Sequence, residues 1–190
     1  MNRNIKLVGV GGQGTILAAK VLCSALIDAG YDVKMSEIHG MSQRGGSVSS
    51  EIRYGDKVYS PVIEKGYADI LVSFEQMEAA RHMDYLKKDG ILVVNNFKIN
   101  SMVTLNGKIQ YPENILETLK DQVKTIVIDA TDEAIALGNS KAMNIIMLGA
   151  LVKSMGLDEL DFEKAIKENV KPKFVDLNLQ AYNLGLNKTN

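Results

Sequence analysis

The chain has 190 residues, 46% hydrophobic and 24% charged, the profile of a globular rather than a disordered protein. Its 22 basic and 23 acidic side chains leave a formal net charge of −1, which argues against nucleic-acid binding driven by bulk charge. No apolar run approaches the ~20 residues of a bilayer crossing, and the single cysteine, Cys23, allows neither an internal disulfide nor an iron–sulfur cluster, which needs about four thiolates.

Met1-Asn2-Arg3-Asn4 leads straight into Ile5-Lys6-Leu7-Val8 without the apolar core of a signal peptide, so the expected location is the cytoplasm. Ile5 to Val10 reads as a strand ending in glycines. Thr15 to Ala29 reads as a helix, with Ile16, Ala19, Cys23, Leu26 and Ile27 near the 3.6 period and Gly30 as its stop. Tyr31 to Ile38 is a second strand, Asp69 to Phe74 a third, and Glu75 to Leu86 a helix closed by Gly90. Ile91 to Val94 and Thr125 to Asp129 are further strands, and Ala134 to Leu137 a short helix. Two stretches read as hairpins: Ser47 to Val62, turning at Tyr54-Gly55-Asp56, and Ser101 to Gln110, turning at Asn106-Gly107. Asn139 or Ser140 can cap a helix carrying Met143, Met147, Ala150 and Leu151. Asp158 or Asp161 can cap another with Phe162, Ala165 and Ile166 inward, and Asp176 to Leu184 is weakly helical. The β-then-α rhythm predicts an α/β fold: a doubly wound, mostly parallel sheet with helices on both faces, inserted hairpins and a helical C-terminal part. With no repeats or linkers, one domain over 1–190 is the economical reading, with a helical extension from about 157.

Gly9-Val10-Gly11-Gly12-Gln13-Gly14 lies between a strand and a helix, the context a G-x-G-x-x-G pattern requires. Gly9 permits a tight turn, Gly11 a close backbone approach and Gly14 close helix–strand packing, and the helix start favours a phosphate. The same glycines also suit a bare strand-to-helix turn with no ligand. Glu37 stands near where a ribose-binding acid of a dinucleotide site would be, but Lys34-Met35-Ser36-Glu37 is not the expected apolar run. A second loop, His39-Gly40-Met41-Ser42-Gln43-Arg44-Gly45-Gly46-Ser47, follows a strand end and so points to the same crevice. Arg44 offers a planar cationic fork, Ser42 and Gln43 neutral polar groups, and Gly45 and Gly46 positive φ. The alternative is a solvated loop whose arginine pairs with a surface acid. His39 has no evident catalytic partner, His82 reads as a surface residue and Cys23 as a small core hydrophobe. No cluster has metal-ligand spacing and no residue stands out as catalytic. Gly149 inside its helix suits a close helix contact, within the chain or between chains.

The two glycine loops together, with Asn139, Asn144 and Met147-Leu148-Gly149-Ala150-Leu151, resemble the gamma-type subunit of the 2-oxoacid:ferredoxin oxidoreductases from about Ile5 to about Gly156. His-Gly-Met-Ser-Gln-Arg-Gly-Gly-Ser is most similar to the indolepyruvate branch. The resemblance implies a Rossmann-like fold and a role in an enzyme that decarboxylates a 2-oxoacid on thiamine diphosphate, passes electrons through [4Fe-4S] clusters to ferredoxin and transfers the acyl group to coenzyme A. Thiamine diphosphate and the clusters are then expected on a partner subunit, because this chain has neither a cysteine set nor a Gly-Asp-Gly segment followed by Asn. It also implies that Gly9, Gly11, Gly12, Gln13, Gly14, Ser42, Gln43, Arg44, Gly45 and Gly46 contact coenzyme A or the partner. Two other readings stay open. A stand-alone NAD(P)-dependent reductase is the poorer fit, because Tyr67, Tyr85 and Tyr111 have no lysine four residues on. The other is a non-catalytic scaffold.

Overall fold

The computed structural model describes residues 2–39, 45–107 and 110–188. Strand β1 (Arg3–Val10) leads through the glycine turn into α1 (Thr15–Asp28), followed by β2 (Asp32–His39), β3 (Ser47–Gly55) and β4 (Ala68–Ser73). Then come α2 (Gln76–His82), a 3₁₀ turn (Met83–Tyr85), β5 (Leu86–Asn95), α3 (Met102–Leu105), α4 (Ile115–Gln122) and β6 (Lys124–Ile128). The rest is helical: α5 (Ala130–Ala136), a 3₁₀ turn (Ser140–Ala142), α6 (Met143–Met155), α7 (Phe162–Asn169), a second such turn (Pro172–Phe174) and α8 (Val175–Asn187).

The six strands form one sheet in the order β2-β3-β1-β4-β5-β6. β1, β4, β5 and β6 pair in parallel, and β3 runs antiparallel to both its neighbours. The sheet is thus mostly parallel, as expected, with β3 alone reversed. One face is covered by α1 and α5 to α8, which meet Ile5, Leu7, Ile52, Ile70 and Val93 in the larger core. The other face carries α2 and α4, which pack through Ala79, Ile115 and Leu119 on Val8, Leu71, Leu92 and Val94. The order reverses between β1 and β4, so a crevice opens at their carboxyl ends.

Both expected hairpins are corrected. The partners of β3 are β1 and β2, not the segment after Gly55. That segment is an irregular strap: Val58 N–H donates to Asp32 Oδ2 (2.9 Å) and Ile63 N–H to Glu51 Oε2 (3.0 Å), while Arg53 Nη1 donates to the carbonyls of Ser60 and Val62. A strand inserted beside β1 gains two ladders, where an isolated hairpin would gain one. The stretch from Ser101 holds helix α3, with Asn106-Gly107 as its exit turn rather than a hairpin tip. Gly90 does not close a helix. It lies inside β5, which starts at Leu86 through a register shift against Ala68 and Ile70, and a Cβ there would stand 2.6 Å from Leu86 Cδ1. Asp161 is the helix cap, accepting Lys164 N–H at 2.9 Å, whereas Asp158 pairs with Lys153.

The α2-side face of β1 and β3 is polar yet buried. Lys6 (1% exposed) meets Glu51 directly opposite at 2.5 Å, and its ammonium stands 3.9 Å from the Tyr85 ring centre. The second oxygen of Glu51 is held by the strap at Ile63, so the carboxylate is fully engaged. On the opposite face α6, buried almost throughout, crosses α8 glycine to glycine: a Cβ on Gly149 would collide with the Tyr182 carbonyl, and one on Gly185 with the Ile146 carbonyl. The close contact expected at Gly149 is therefore within the chain.

Two stability outcomes follow from this packing. Gly149→Ala should cost about 1–3 kcal/mol despite the better helix propensity of alanine, because backbone on the facing helix cannot yield as a side-chain tip can. Thermal denaturation reads it, and an unchanged midpoint would refute the close crossing. Glu51→Ala should cost about 3–5 kcal/mol by stranding the Lys6 ammonium, whereas Lys6→Met with Glu51→Leu should recover most of that loss in urea unfolding.

Candidate functional site

The glycine turn is shaped by three close approaches. A Cβ at Gly9 would stand 2.9 Å from Gln13 Oε1 and 3.1 Å from Phe74 Cβ. Gly14, at φ +81°, has its missing Cβ position filled by the Asn144 amide. Gly12, at φ +108°, leaves its Cβ position with nothing within 4 Å among the described residues and forms the crest. Gln13 braces the turn from inside: its Oε1 accepts Val10 N–H (2.8 Å) and its Nε2 donates to the Phe74 carbonyl (2.9 Å). That carbonyl also accepts from Asn95 Nδ2 (3.1 Å), tying together the ends of β1, β4 and β5. Asn144 Nδ2 donates to the Gly14 carbonyl (3.1 Å), leaving its buried Oδ1 without a donor among the described residues. No side chain caps α1, so its first turn keeps N–H groups for an anion.

The second loop meets the first through main chain. Gly11 N–H donates to the Gly46 carbonyl (2.8 Å) and Gly45 N–H to the Gly11 carbonyl (3.2 Å), with Gly45 at φ +77°. The structure therefore brings Gly9 to Gly14 together with Gly45 and Gly46. Ser42, Gln43 and Arg44 lie outside the described residues. Of the remaining candidates, Gln13 uses both ends of its amide on the scaffold, and Gly11 uses its N–H on the other loop.

Two clefts flank the crest. One, of about 370 Å³, runs from Gly12, Thr15 and Ile16 to the ends of β2 and β3, with Glu37 and Ser50 in its lining. The other, of about 800 Å³, runs from the turn's opposite side to Phe97, Lys141, Asn144 and Lys171. β3 stands where a plain βαβ unit would place β2, so Glu37 reaches the first cleft from the sheet edge.

A third feature escaped the sequence reading. Beneath Gly45, the Ser47 hydroxyl donates to Glu78, which is 3% exposed and whose carboxyl burial pushes up. Arg81 Nη1 reaches the same carboxylate at 3.1 Å and His82 Nε2 at 3.8 Å. Glu75, the cap of α2, accepts from Glu78 N–H (2.9 Å), Ile99 N–H (3.1 Å) and the Tyr111 hydroxyl (2.5 Å). His82 is half-buried against this cluster, with burial lowering its pKa, and is not the surface residue expected. The spacing Glu75-Gln76-Met77-Glu78 at the exit of a strand was the available sign, a capping pattern with an acid at both ends. Cys23 sits between α1 and β2, its Sγ 3.7 Å from Met35 Sδ, with burial raising the thiol to about 12. Among the described residues no three His, Cys, Asp or Glu are placed to hold a metal, and no helix is long and apolar enough to cross a membrane.

Comparison with known proteins bears on this arrangement. Indolepyruvate oxidoreductase subunit IorB of Pyrococcus horikoshii is 40% identical over 189 residues, covering 96% of this chain and 94% of that protein. The gamma subunit of a keto/oxoacid ferredoxin oxidoreductase from Geobacter sulfurreducens superimposes with a TM-score of 0.76 at 26% identity, over 100% of this chain and 97% of that one. A 2-oxoglutarate:ferredoxin oxidoreductase from Magnetococcus marinus, solved with 2-oxoglutarate, coenzyme A and succinyl-CoA bound, shares the fold at TM-score 0.76 and 17% identity, over 99% of this chain and 31% of that one. Residues 4–188 match the family described as pyruvate ferredoxin/flavodoxin oxidoreductase. The chain belongs to that family, as a gamma-type subunit of the oxoacid:ferredoxin oxidoreductases.

Proposed function

We propose that this chain is the small subunit of an indolepyruvate-type 2-oxoacid:ferredoxin oxidoreductase and that it positions coenzyme A for a companion subunit. The observation that carries the reading is the joining of the two glycine loops through Gly11, Gly45 and Gly46, which makes one backbone-lined platform at the carboxyl edge of the sheet. Among the described residues nothing fills the space above Gly12, and the uncapped start of α1 favours a pyrophosphate there. The name carried by the Pyrococcus relative supports indolepyruvate as substrate, and the ligands of the Magnetococcus enzyme support coenzyme A.

The redox groups do not fit this chain. One cysteine, half-buried and with its thiol raised to about 12, is the opposite of a thiolate ligand set, and the described residues offer no metal cluster. Thiamine diphosphate and [4Fe-4S] clusters are therefore assigned to the companion, with ferredoxin as the acceptor of the complex. What this chain contributes is geometry. Holding the nucleotide end of coenzyme A, far from the reacting thiol, lowers the entropy cost of bringing that thiol to the acyl group in near-attack geometry. Ser42, Gln43 and Arg44 belong to the same proposal on their sequence, Arg44 as a charged fork for phosphate.

The test is reconstitution. The chain alone should show no turnover, and with its companion it should support coenzyme A-dependent ferredoxin reduction by indolepyruvate; turnover by the chain alone would end the proposal. In the assembled enzyme, Arg44→Ala should raise the apparent KM for coenzyme A by roughly tenfold, the scale of one charge-assisted contact, and shift it more than the KM for the oxoacid. A coenzyme A KM left untouched would remove Arg44 from the site.

A further inference from the structure

The two clefts beside the glycine turn share Gly12 and Gly14 but differ in charge. Among the described residues the first is lined by one carboxylate, Glu37, and by no lysine or arginine. The second is lined by no carboxylate and by two exposed lysines, Lys141 and Lys171. Lys141 comes from the 3₁₀ turn ahead of α6 and Lys171 from the link after α7, so tertiary packing alone makes them neighbours of one cleft. Neither has an ion-pair partner among the described residues. The cleft wall also holds Asn144, 97% buried by its 3% exposure, whose amide oxygen lacks a donor, and the rings of Phe97 and Phe174. Its volume of about 800 Å³ lies in the range of small-molecule sites.

Coenzyme A is strongly asymmetric in charge. Its 3′-phosphate is a monoester carrying about −1.5 to −2 at neutral pH, and its pyrophosphate adds further negative charge. Among the described linings, Glu37 opposes such a group in the first cleft, and the two lysines of the second, with no carboxylate beside them, attract it. Flat rings suit an adenine face, and an acceptor without a donor suits an amine or hydroxyl. We propose that the Lys141–Lys171 cleft receives the 3′-phosphoadenosine end of coenzyme A, and that these two lysines read its 3′-phosphate. The inference rests on the coenzyme A reading above and deepens it.

The assembled enzyme tests it by comparing coenzyme A with 3′-dephospho-coenzyme A. The unaltered complex should prefer coenzyme A in kcat/KM by roughly tenfold or more, the scale of two partly exposed charge contacts. In a Lys141→Gln, Lys171→Gln double variant that preference should fall to near one, and the corresponding Lys→Arg pair should restore it. A preference unchanged in the double glutamine variant overturns the proposal. Hydrogen exchange on the complex with coenzyme A added separates the two levels of inference. Protection at 12–17 and 139–145 supports the lysine cleft. Protection confined to 37–39 and 48–50 overturns the cleft but keeps the coenzyme A reading, and no protection anywhere in this chain overturns both.

Discussion

The site depends on two hydrogen bonds between glycines. Gly11 and the Gly45–Gly46 pair exchange main-chain bonds across the top of the sheet, and no side chain intervenes. At Gly45 the approach needs a positive φ that other residues adopt at a cost. From this one contact follows the coincidence of the two loops, and from that the platform with a cleft on either side.

The platform is rigid because the scaffold holds it from two directions. Gln13 and Asn95 converge on the Phe74 carbonyl from β1 and β5, fixing the turn to the middle of the sheet. Asn144 fixes it from α6, filling the space a side chain on Gly14 would need. Helix α6 is in turn clamped by α8 through Gly149 and Gly185. A substitution in the C-terminal helix can thus reach the glycine turn through a chain of backbone contacts, with no need for the helix to touch ligand.

The polar interior of the other face has a different logic. Lys6 and Glu51 lie where a sheet usually presents apolar residues, Glu75 and Glu78 are buried at the start of α2, and each finds a partner, Glu78 in the Ser47 hydroxyl at the rim. Buried polar groups are tolerable when satisfied and costly when not, so this network favours one register of β1 against β3. A slip of β3 by one residue would turn Glu51 toward the apolar core of α1 and α6 and leave Lys6 without its partner. The register in turn sets Ser47 under Gly45, and so sets the height of the second loop.

Much of this was legible from the residues. The existence of helix α1, the core face of α6 and the turn at Gly9 to Gly14 follow from local periodicity and glycine placement, which depend on neighbours in sequence; the face of α1 does not, since Ile16 and Ile27 are exposed while Ala18, Val21, Leu22 and Ala25 turn inward, and of the two caps read, Asp158 or Asp161, only Asp161 serves. The departures share a physical cause. Val48 to Arg53 reads as strand from its residues, but its partners do not, because pairing is decided by which long-range ladder buries more backbone. Gly90 reads as a helix stop in sequence and is a strand residue in space, since only the register against β4 makes room for it. His82 reads as a surface residue until the Glu78 carboxylate, held by Ser47, is seen beside it, and Glu75 meets Tyr111 from elsewhere in the chain.

The amino-acid order by itself determined the α/β class, the family motifs and the two loops that carry them, because each is written in a run of adjacent residues. Tertiary structure alone decided that the loops join through Gly11, Gly45 and Gly46, that β3 separates β1 from β2, and that Lys141 and Lys171 share a cleft with no carboxylate among the described residues. Those facts rest on contacts between residues distant in sequence, whose energies compare whole arrangements of the sheet and its helices rather than any local preference.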